Sequence, residues 1–155
     1  MLSIGTPAPA FTFPDQEGLA RSLSDWKGLW VLLYFYPRDN TPGCTIEACA
    51  FRDAYPAYKK AGVIVVGMSG DSPKSHEKFA GKHKLPFPIV SDVDRIVMNM
   101  YGAIGKKTMM GRTFLGIKRV SYLIDPKGKI ARVYDTVKPA LHANEVLADI
   151  THLAV

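Results

Sequence analysis

Two cysteines, Cys44 and Cys49, are the residues of this sequence best suited to chemistry. They sit in Tyr34–Asp53, which reads Tyr-Phe-Tyr-Pro-Arg-Asp-Asn-Thr-Pro-Gly-Cys-Thr-Ile-Glu-Ala-Cys-Ala-Phe-Arg-Asp. An apolar run, Leu29–Tyr36, meets Pro37. A short polar loop follows, and Pro42-Gly43 marks the opening of a helix. Cys44 then falls in the first helical turn, where unpaired backbone N–H groups and the positive end of the helix dipole converge. Such a position favours thiolate over thiol. A free cysteine near pKa 8.5 is about 3% ionised at pH 7, whereas one near 6 is about 90% ionised. Thr41 lies three residues before Cys44, so its hydroxyl is within reach of the sulfur or of an oxygen bound beside it. Cys49 follows Cys44 by five residues.

Each of these residues also has a plain structural reading. A cysteine is often a small buried apolar residue. That reading suits Cys49, mid-helix among Ala48, Ala50 and Phe51, better than Cys44, between Gly43 and Thr45. Thr41 is a candidate helix cap. Glu47 is either a first-turn acid favoured by the dipole or a group that holds an arginine beside the cysteine. Arg119 is either a surface cation on an edge strand or that arginine.

The elements that position these residues follow from periodicity. Gly5–Ser22 predicts an extended segment and a hairpin, with a turn at Asp15-Gln16-Glu17-Gly18. Ser24-Asp25-Trp26-Lys27-Gly28 reads as one capped turn closed by glycine. The continuous apolar run Leu29–Tyr36 suits a strand covered on both faces. The cysteine helix extends to about Lys60 and ends at Gly62, with a kink or restart expected at Pro56. Val63–Met68 is a second buried strand, completing a right-handed parallel β-α-β unit. Ser72-Pro73 opens a helix to about Lys84. Phe87–Val90 is a short strand, and Ser91-Asp92-Val93-Asp94 resembles a capping box opening a helix that stops near Gly102. Ile104–Gly116 holds three glycines and Met109-Met110, and reads as an irregular loop. Lys118–Ile124 and Lys129–Tyr134 form a hairpin around Asp125–Gly128. Ala143–Leu153 carries Val146, Leu147, Ile150 and Leu153 at amphipathic helical spacing. The order predicts an α/β chain with a thioredoxin-like three-layer α/β/α arrangement and an N-terminal hairpin extension.

Bulk properties exclude several classes. At 155 residues the chain suits one domain, residues 1–155. Its 47% apolar and 22% charged content is that of an ordinary globular protein. It has no run long and apolar enough for a membrane span, and Met-Leu-Ser-Ile-Gly-Thr-Pro lacks the pattern of a signal peptide. A cytoplasmic location is expected. There, two cysteines five residues apart suggest redox or metal chemistry more than a structural disulfide. The net charge of +6 raises nucleic acid as a partner, but the basic residues are scattered and no helix carries a basic stripe. His76 and His83 are seven residues apart on one helix, and no Cys or carboxylate completes a metal spacing, so no metal site is expected.

At the cysteines the sequence resembles a known family. Pro37-x-x-x-Thr41-x-x-Cys44 is similar to the peroxidatic signature of the peroxiredoxins. Thr-Pro-Gly-Cys-Thr-x-Glu-Ala-Cys-x-Phe-Arg-Asp resembles the peroxiredoxin Q subgroup, also called bacterioferritin comigratory protein. The resemblance extends to Asp71-Ser72, to Leu85-Pro86-Phe87 through Ser91-Asp92, and to Arg119-x-Ser121-Tyr122-Leu123-Ile124-Asp125, nearly the whole chain. Val120 departs from it, since a serine often follows the arginine, and so does Pro56, in a helix that is usually continuous.

The resemblance implies the thioredoxin-like fold and a thiol peroxidase acting on hydrogen peroxide and organic hydroperoxides. Cys44 would attack the terminal peroxide oxygen and become a sulfenic acid. Thr41, the Cys44 backbone N–H and Arg119 would stabilise the charge on the peroxide oxygens, and Pro37 would shield the site. Cys49 would resolve the sulfenic acid as an intramolecular disulfide, reduced in turn by thioredoxin or a glutaredoxin-like dithiol protein. No cofactor is implied, and an internal resolving cysteine suits a monomer. Two other classes share the strand–Cys–helix geometry. A disulfide oxidoreductase would use Cys-x-x-Cys rather than the Cys-x-x-x-x-Cys present here. A copper metallochaperone would use two thiolates and a distal histidine, with no need of Thr41 or Arg119.

Overall fold

The computed structural model describes residues 1–153. A five-stranded mixed sheet lies at its centre, in the order β5-β4-β3-β8-β9. The middle strand is β3 (Trp30–Phe35), the apolar run that precedes the cysteines. It pairs in parallel with β4 (Val63–Ser69) and antiparallel with β8 (Val120–Ile124). On one flank β5 (Ile89–Ser91) joins β4 in parallel. On the other, β9 (Ile130–Tyr134) joins β8 through the predicted hairpin.

Side chains alternate across β3 and build two cores. Leu32 and Tyr34 point to a layer formed by α1 (Pro42–Lys60), α2 (Pro73–His83) and α4 (His142–Leu153), through Ala48, Phe51, Tyr58, Phe79, Val146 and Ile150. Val31, Leu33 and Phe35 point the other way, to α3 (Ile96–Met100) and to Phe11 and Trp26 of the N-terminal segment. That segment holds the expected hairpin, β1 (Thr12–Pro14) with β2 (Ala20–Ser22). It is tied to β9 by the Gly5 N–H to the Ile130 carbonyl and the Ile130 N–H to the Thr6 carbonyl. The layers are therefore helix, sheet and helix, with the aromatic stack Tyr34–Phe51 (4.8 Å) joining the central strand to the cysteine helix.

Four local expectations are corrected. Pro56 does not restart α1, and the helix is continuous from Pro42 to Lys60. Proline removes a single donor there, while Tyr55 and Tyr58 on either side are buried in the helix-side core and keep both halves of the helix packed. The turn after β2 is a 3-10 helix, Leu23–Trp26, started by Ser22 rather than Ser24, with the Ser22 N–H donating to Asp25. The helix expected to open at Ser91–Asp94 begins only at Ile96. The buried Asp92 carboxylate accepts from the N–H groups of Ile96 and Met98, at 2.9 Å each, so the cap acts farther along the chain than a capping box would. Lastly, Ile104–Gly116 is not an irregular loop but a hairpin of β6 (Ile104–Met109) and β7 (Arg112–Ile117). Met110 and Gly111 both adopt positive φ (52° and 78°), the geometry of a two-residue primed turn.

Candidate active site

Strand β3 ends at Phe35, and the chain from Tyr36 to Thr41 crosses the sheet end before α1 begins. A buried polar clasp holds this crossing. Asp39 accepts from the Tyr36 hydroxyl (2.6 Å), the Ser75 hydroxyl (2.8 Å) and His76 Nδ1 (2.7 Å). Its own N–H donates to Asp71 Oδ2 at 2.8 Å, which also accepts from Ser69 Oγ at 2.7 Å. Burial alone would raise the Asp39 carboxyl, but the His76, Tyr36 and Ser75 bonds outweigh it and hold the group below its ordinary value. Sequence spacing gave His76 no carboxylate, yet the fold gathers Asp39, Asp71 and His76 within 4.8 Å of one another. Donors of the protein already occupy the facing oxygens, so the cluster works as a fastener between the loop, β4 and α2.

The loop delivers Thr41 to the N-cap of α1 and Pro42 to its first position. The Thr41 hydroxyl caps nothing, because it donates to the Arg38 carbonyl at 2.9 Å. The reading of Thr41 as a plain side-chain cap is thereby corrected. Cys44 follows in the first turn, 1% exposed and packed in the helix-side core. Half-buried Pro37 lies at the start of the same crossing.

Arg119 reaches this turn from the two-residue link between β7 and β8, not from an edge strand. Its Nη2 donates to Cys44 Sγ at 3.3 Å, and its Nη1 donates to Glu47 Oε1 at 2.8 Å. One planar guanidinium therefore bridges the sulfur and a carboxylate one helical turn away. Glu47 is fully buried. Burial pushes its carboxyl up to about 7 even though Arg119 pulls the other way. Burial lowers Arg119, but the charges of Glu47 and Cys44 outweigh it and raise the guanidinium further. Val120, where the family resemblance led us to expect serine, is buried in the opposite core and does not disturb the arginine before it.

Three neighbours were not singled out from sequence. A Cβ on Gly43 would stand 3.0 Å from Arg119 Nη2, so the glycine before the cysteine leaves room for the guanidinium across the helix start. Lys107, on β6, feels Arg119 and Cys44; burial first and Arg119 second lower its ammonium, with Cys44 opposing. Tyr34 places its hydroxyl in the same buried region, and neither it nor Glu47 Oε2 has a hydrogen-bond partner among the described residues. Burial, then Glu47 and Cys44, raise the Tyr34 phenol well above its ordinary value. Gly43 had a visible signal in its place before Cys44, whereas Lys107 was hidden by the misread hairpin.

Cys49 lies farther along α1, half-buried and outside the Cys44 cluster. Both cysteines are free thiols. The structure thus brings Cys44, Glu47 and Arg119 into direct contact, with Thr41 and Pro37 on the adjoining loop, and keeps Cys49 on another part of the helix. No helix among the described residues is long and apolar enough to cross a membrane.

Comparison with known proteins bears on the family and the fold. The model of the AhpC/TSA family matches residues 4–133. A putative peroxiredoxin bcp of Coxiella burnetii is 47% identical over 146 residues, covering 94% of this chain and 97% of its own. Peroxiredoxin Bcp of Escherichia coli is 47% identical over 146 residues, covering 94% of each. Among solved structures, the bacterioferritin comigratory protein of Xanthomonas campestris, studied for alkyl peroxide reduction, superposes with a TM-score of 0.89 at 37% identity, covering 94% of this chain and 92% of that one. A mutant of Xylella fastidiosa PrxQ gives a TM-score of 0.94 at 34% identity, covering 100% and 99%.

Proposed function

Because this chain belongs to the AhpC/TSA family, and within it to the peroxiredoxin Q group of thiol-dependent peroxidases, we propose that Cys44 is its peroxide-reacting thiol and Cys49 the thiol that resolves it. The enzyme reduces a hydroperoxide at the expense of a thiol reductant. The observation that carries the assignment to Cys44 is the Arg119 guanidinium, which donates to its sulfur at 3.3 Å while Glu47 holds it from the other side.

In the first step the Cys44 thiolate attacks the terminal oxygen of the hydroperoxide. The O–O bond breaks, Cys44 becomes a sulfenic acid, and water or an alcohol departs after taking a proton. Negative charge spreads over both oxygens in that step. Arg119, the Cys44 N–H and, once its hydroxyl turns from Arg38, Thr41 are the donors that meet it. Pro37 shields the loop side. Cys49 then displaces hydroxide from the Cys44 sulfur, forming a disulfide and releasing water. A dithiol protein of the thioredoxin or glutaredoxin type returns both thiols by exchange. Hydrogen peroxide and organic hydroperoxides fit the same attack, a monomer suffices for it, and the cytoplasm supplies the reducing conditions that recycling needs.

Spacing makes the second step a conformational one. Residues five apart on an α-helix have Cα atoms about 8–9 Å apart and point about 140° away from each other. A disulfide needs Cα atoms within about 7 Å. With both cysteines inside α1, the first turns of that helix must unwind before the bond closes. Pro56 has already removed one rung of the backbone ladder, so the melting is confined to the N-terminal half. Amide exchange across Thr45–Arg52 should therefore be slow in the reduced protein and fast in the disulfide form. Equal protection in both forms would mean that the helix accommodates the bridge and that the unwinding does not occur.

A further inference from the structure

Cys49 faces away from the peroxide site, but it does not face solvent alone. Its Sγ lies 3.8 Å from Nδ1 of His83, at the last residue of α2. Among the described residues this is the sole hydrogen-bonding contact of either side chain. Two features hold the imidazole in place. Its ring packs edge-on against Phe79 at 5.1 Å, and the His83 carbonyl accepts from Arg52 Nη1 at 2.9 Å, which fastens the end of α2 to α1. The charged groups around it are Lys82 on its own helix and, from α1, Arg52 with its partner Asp53.

We propose that His83 is the proton acceptor for Cys49 in the resolving step, a role that rests on Cys49 being the resolving thiol. The ring nitrogen facing the sulfur must be unprotonated to act, and its surroundings keep it so. Burial, then the positive charges of Lys82 and Arg52, lower the His83 imidazole below its ordinary value. Nδ1 takes the Cys49 proton while α1 is still helical. The thiolate is then carried to Cys44 as the helix unwinds, and its electron pair forms the new sulfur–sulfur bond. The S–O bond of the sulfenic acid breaks, hydroxide leaves, and the proton held by His83 returns through solvent to make water. The two-electron oxidation of sulfur has already been supplied by the peroxide, so the step needs no other oxidant.

The pairing gives the two cysteines different supports: a fixed cation for Cys44, which attacks peroxide, and a removable proton acceptor for Cys49, which attacks the sulfenic acid. His83 belongs to the second step only.

The test is a rapid-mixing experiment on the full chain. One equivalent of hydrogen peroxide is added, the reaction is quenched with a sulfenic-acid trap, and sulfenic acid and disulfide are counted by mass across pH 5–9. The wild type, His83→Ala, His83→Gln and Cys49→Ser are compared. In His83→Ala and His83→Gln the sulfenic acid should persist about tenfold to a hundredfold longer at pH 7. The wild-type rate should fall as acid protonates the imidazole, below about pH 6.5. Both variants should lose that inflection and instead climb steadily with pH as solvent ionises the thiol. Glutamine keeps bulk and hydrogen bonding but takes no proton, so it separates proton transfer from packing even if His83→Ala is unstable. A His83→Gln protein that closes its disulfide at the wild-type rate and with the wild-type pH profile would overturn the assignment. A wild type whose sulfenic acid persists as long as that of Cys49→Ser would remove Cys49 from resolution, and His83 with it.

Discussion

Cys44→Ser should consume no hydroperoxide, whereas Cys49→Ser should react once and then stall. The asymmetry follows from where the two sulfurs sit. Cys44 lies in the first turn of α1 with the Arg119 guanidinium donating to its sulfur at 3.3 Å, so a fixed positive charge is hydrogen-bonded to the attacking atom itself. A serine hydroxyl there keeps the shape but loses the nucleophile, since its oxygen stays protonated at neutral pH and forms no sulfenic acid. Cys49→Ser leaves that arrangement intact, so the first oxidation proceeds. The sulfenic acid then has no partner thiol and moves on to sulfinic acid with further peroxide. Peroxide consumption and the mass of each variant after one and ten equivalents check both statements. Turnover by Cys44→Ser with an inert Cys49→Ser would reverse the roles.

Arg119→Ala should slow the peroxide step roughly a hundredfold, the cost of about 3 kcal/mol for one preorganised donor, with the fold retained because the side chain is part-exposed in a link between strands. Stopped-flow oxidation under pseudo-first-order peroxide reads it, and near-normal kinetics would remove Arg119 from the chemistry. Glu47→Gln gives a weaker loss of rate, several-fold, because a neutral amide pins the guanidinium less firmly. It also carries a signature in stability. The Glu47 carboxyl is pushed from 4.5 up to about 7 in the folded protein. The folded chain therefore binds this proton more tightly than the unfolded chain does between those values. The associated stability is present below about pH 4.5 and is lost as pH rises through about 7, the reverse of an ordinary surface carboxylate. Across that window the wild type should lose on the order of 3 kcal/mol relative to Glu47→Gln in denaturant titrations. A variant with the wild-type slope would mean that Glu47 stays ionised throughout. The carboxylate thus costs stability at neutral pH, and that cost fixes the guanidinium on the sulfur.

The parts of this site that sequence made legible are those set by local rules. Proline at the first helical position and a doubly buried strand before it placed Cys44 in the first turn, and the α1 and α2 boundaries follow the same logic. What stayed hidden depends on contacts between distant residues. Glu47 and Arg119 are 72 positions apart, and sequence offered their pairing only as one of two readings. Cys49 and His83 are 34 apart on different helices, and a search for metal spacing passed over them. Lys107 was lost because Ile104–Ile117 shows no alternation: much of the hairpin is exposed, glycines dilute its strand signal, and Met110 takes a positive φ usually left to asparagine or glycine. Pro56 misled in the other direction. One absent donor is a small loss against the burial of Tyr55 and Tyr58 in the same turn.

The central claim, that Cys44 and Cys49 are the two ends of one redox reaction, is tested most directly by mass analysis of the wild-type protein after one equivalent of peroxide. Arg38 and Arg52 flank both cysteines, so trypsin releases them in a single peptide, Asp39–Arg52. The account predicts that this peptide, digested without reductant, is lighter than its reduced form by two hydrogens and regains them with a dithiol. A peptide that instead carries one added oxygen on Cys44 with Cys49 still free, or a disulfide joining two chains, would contradict it.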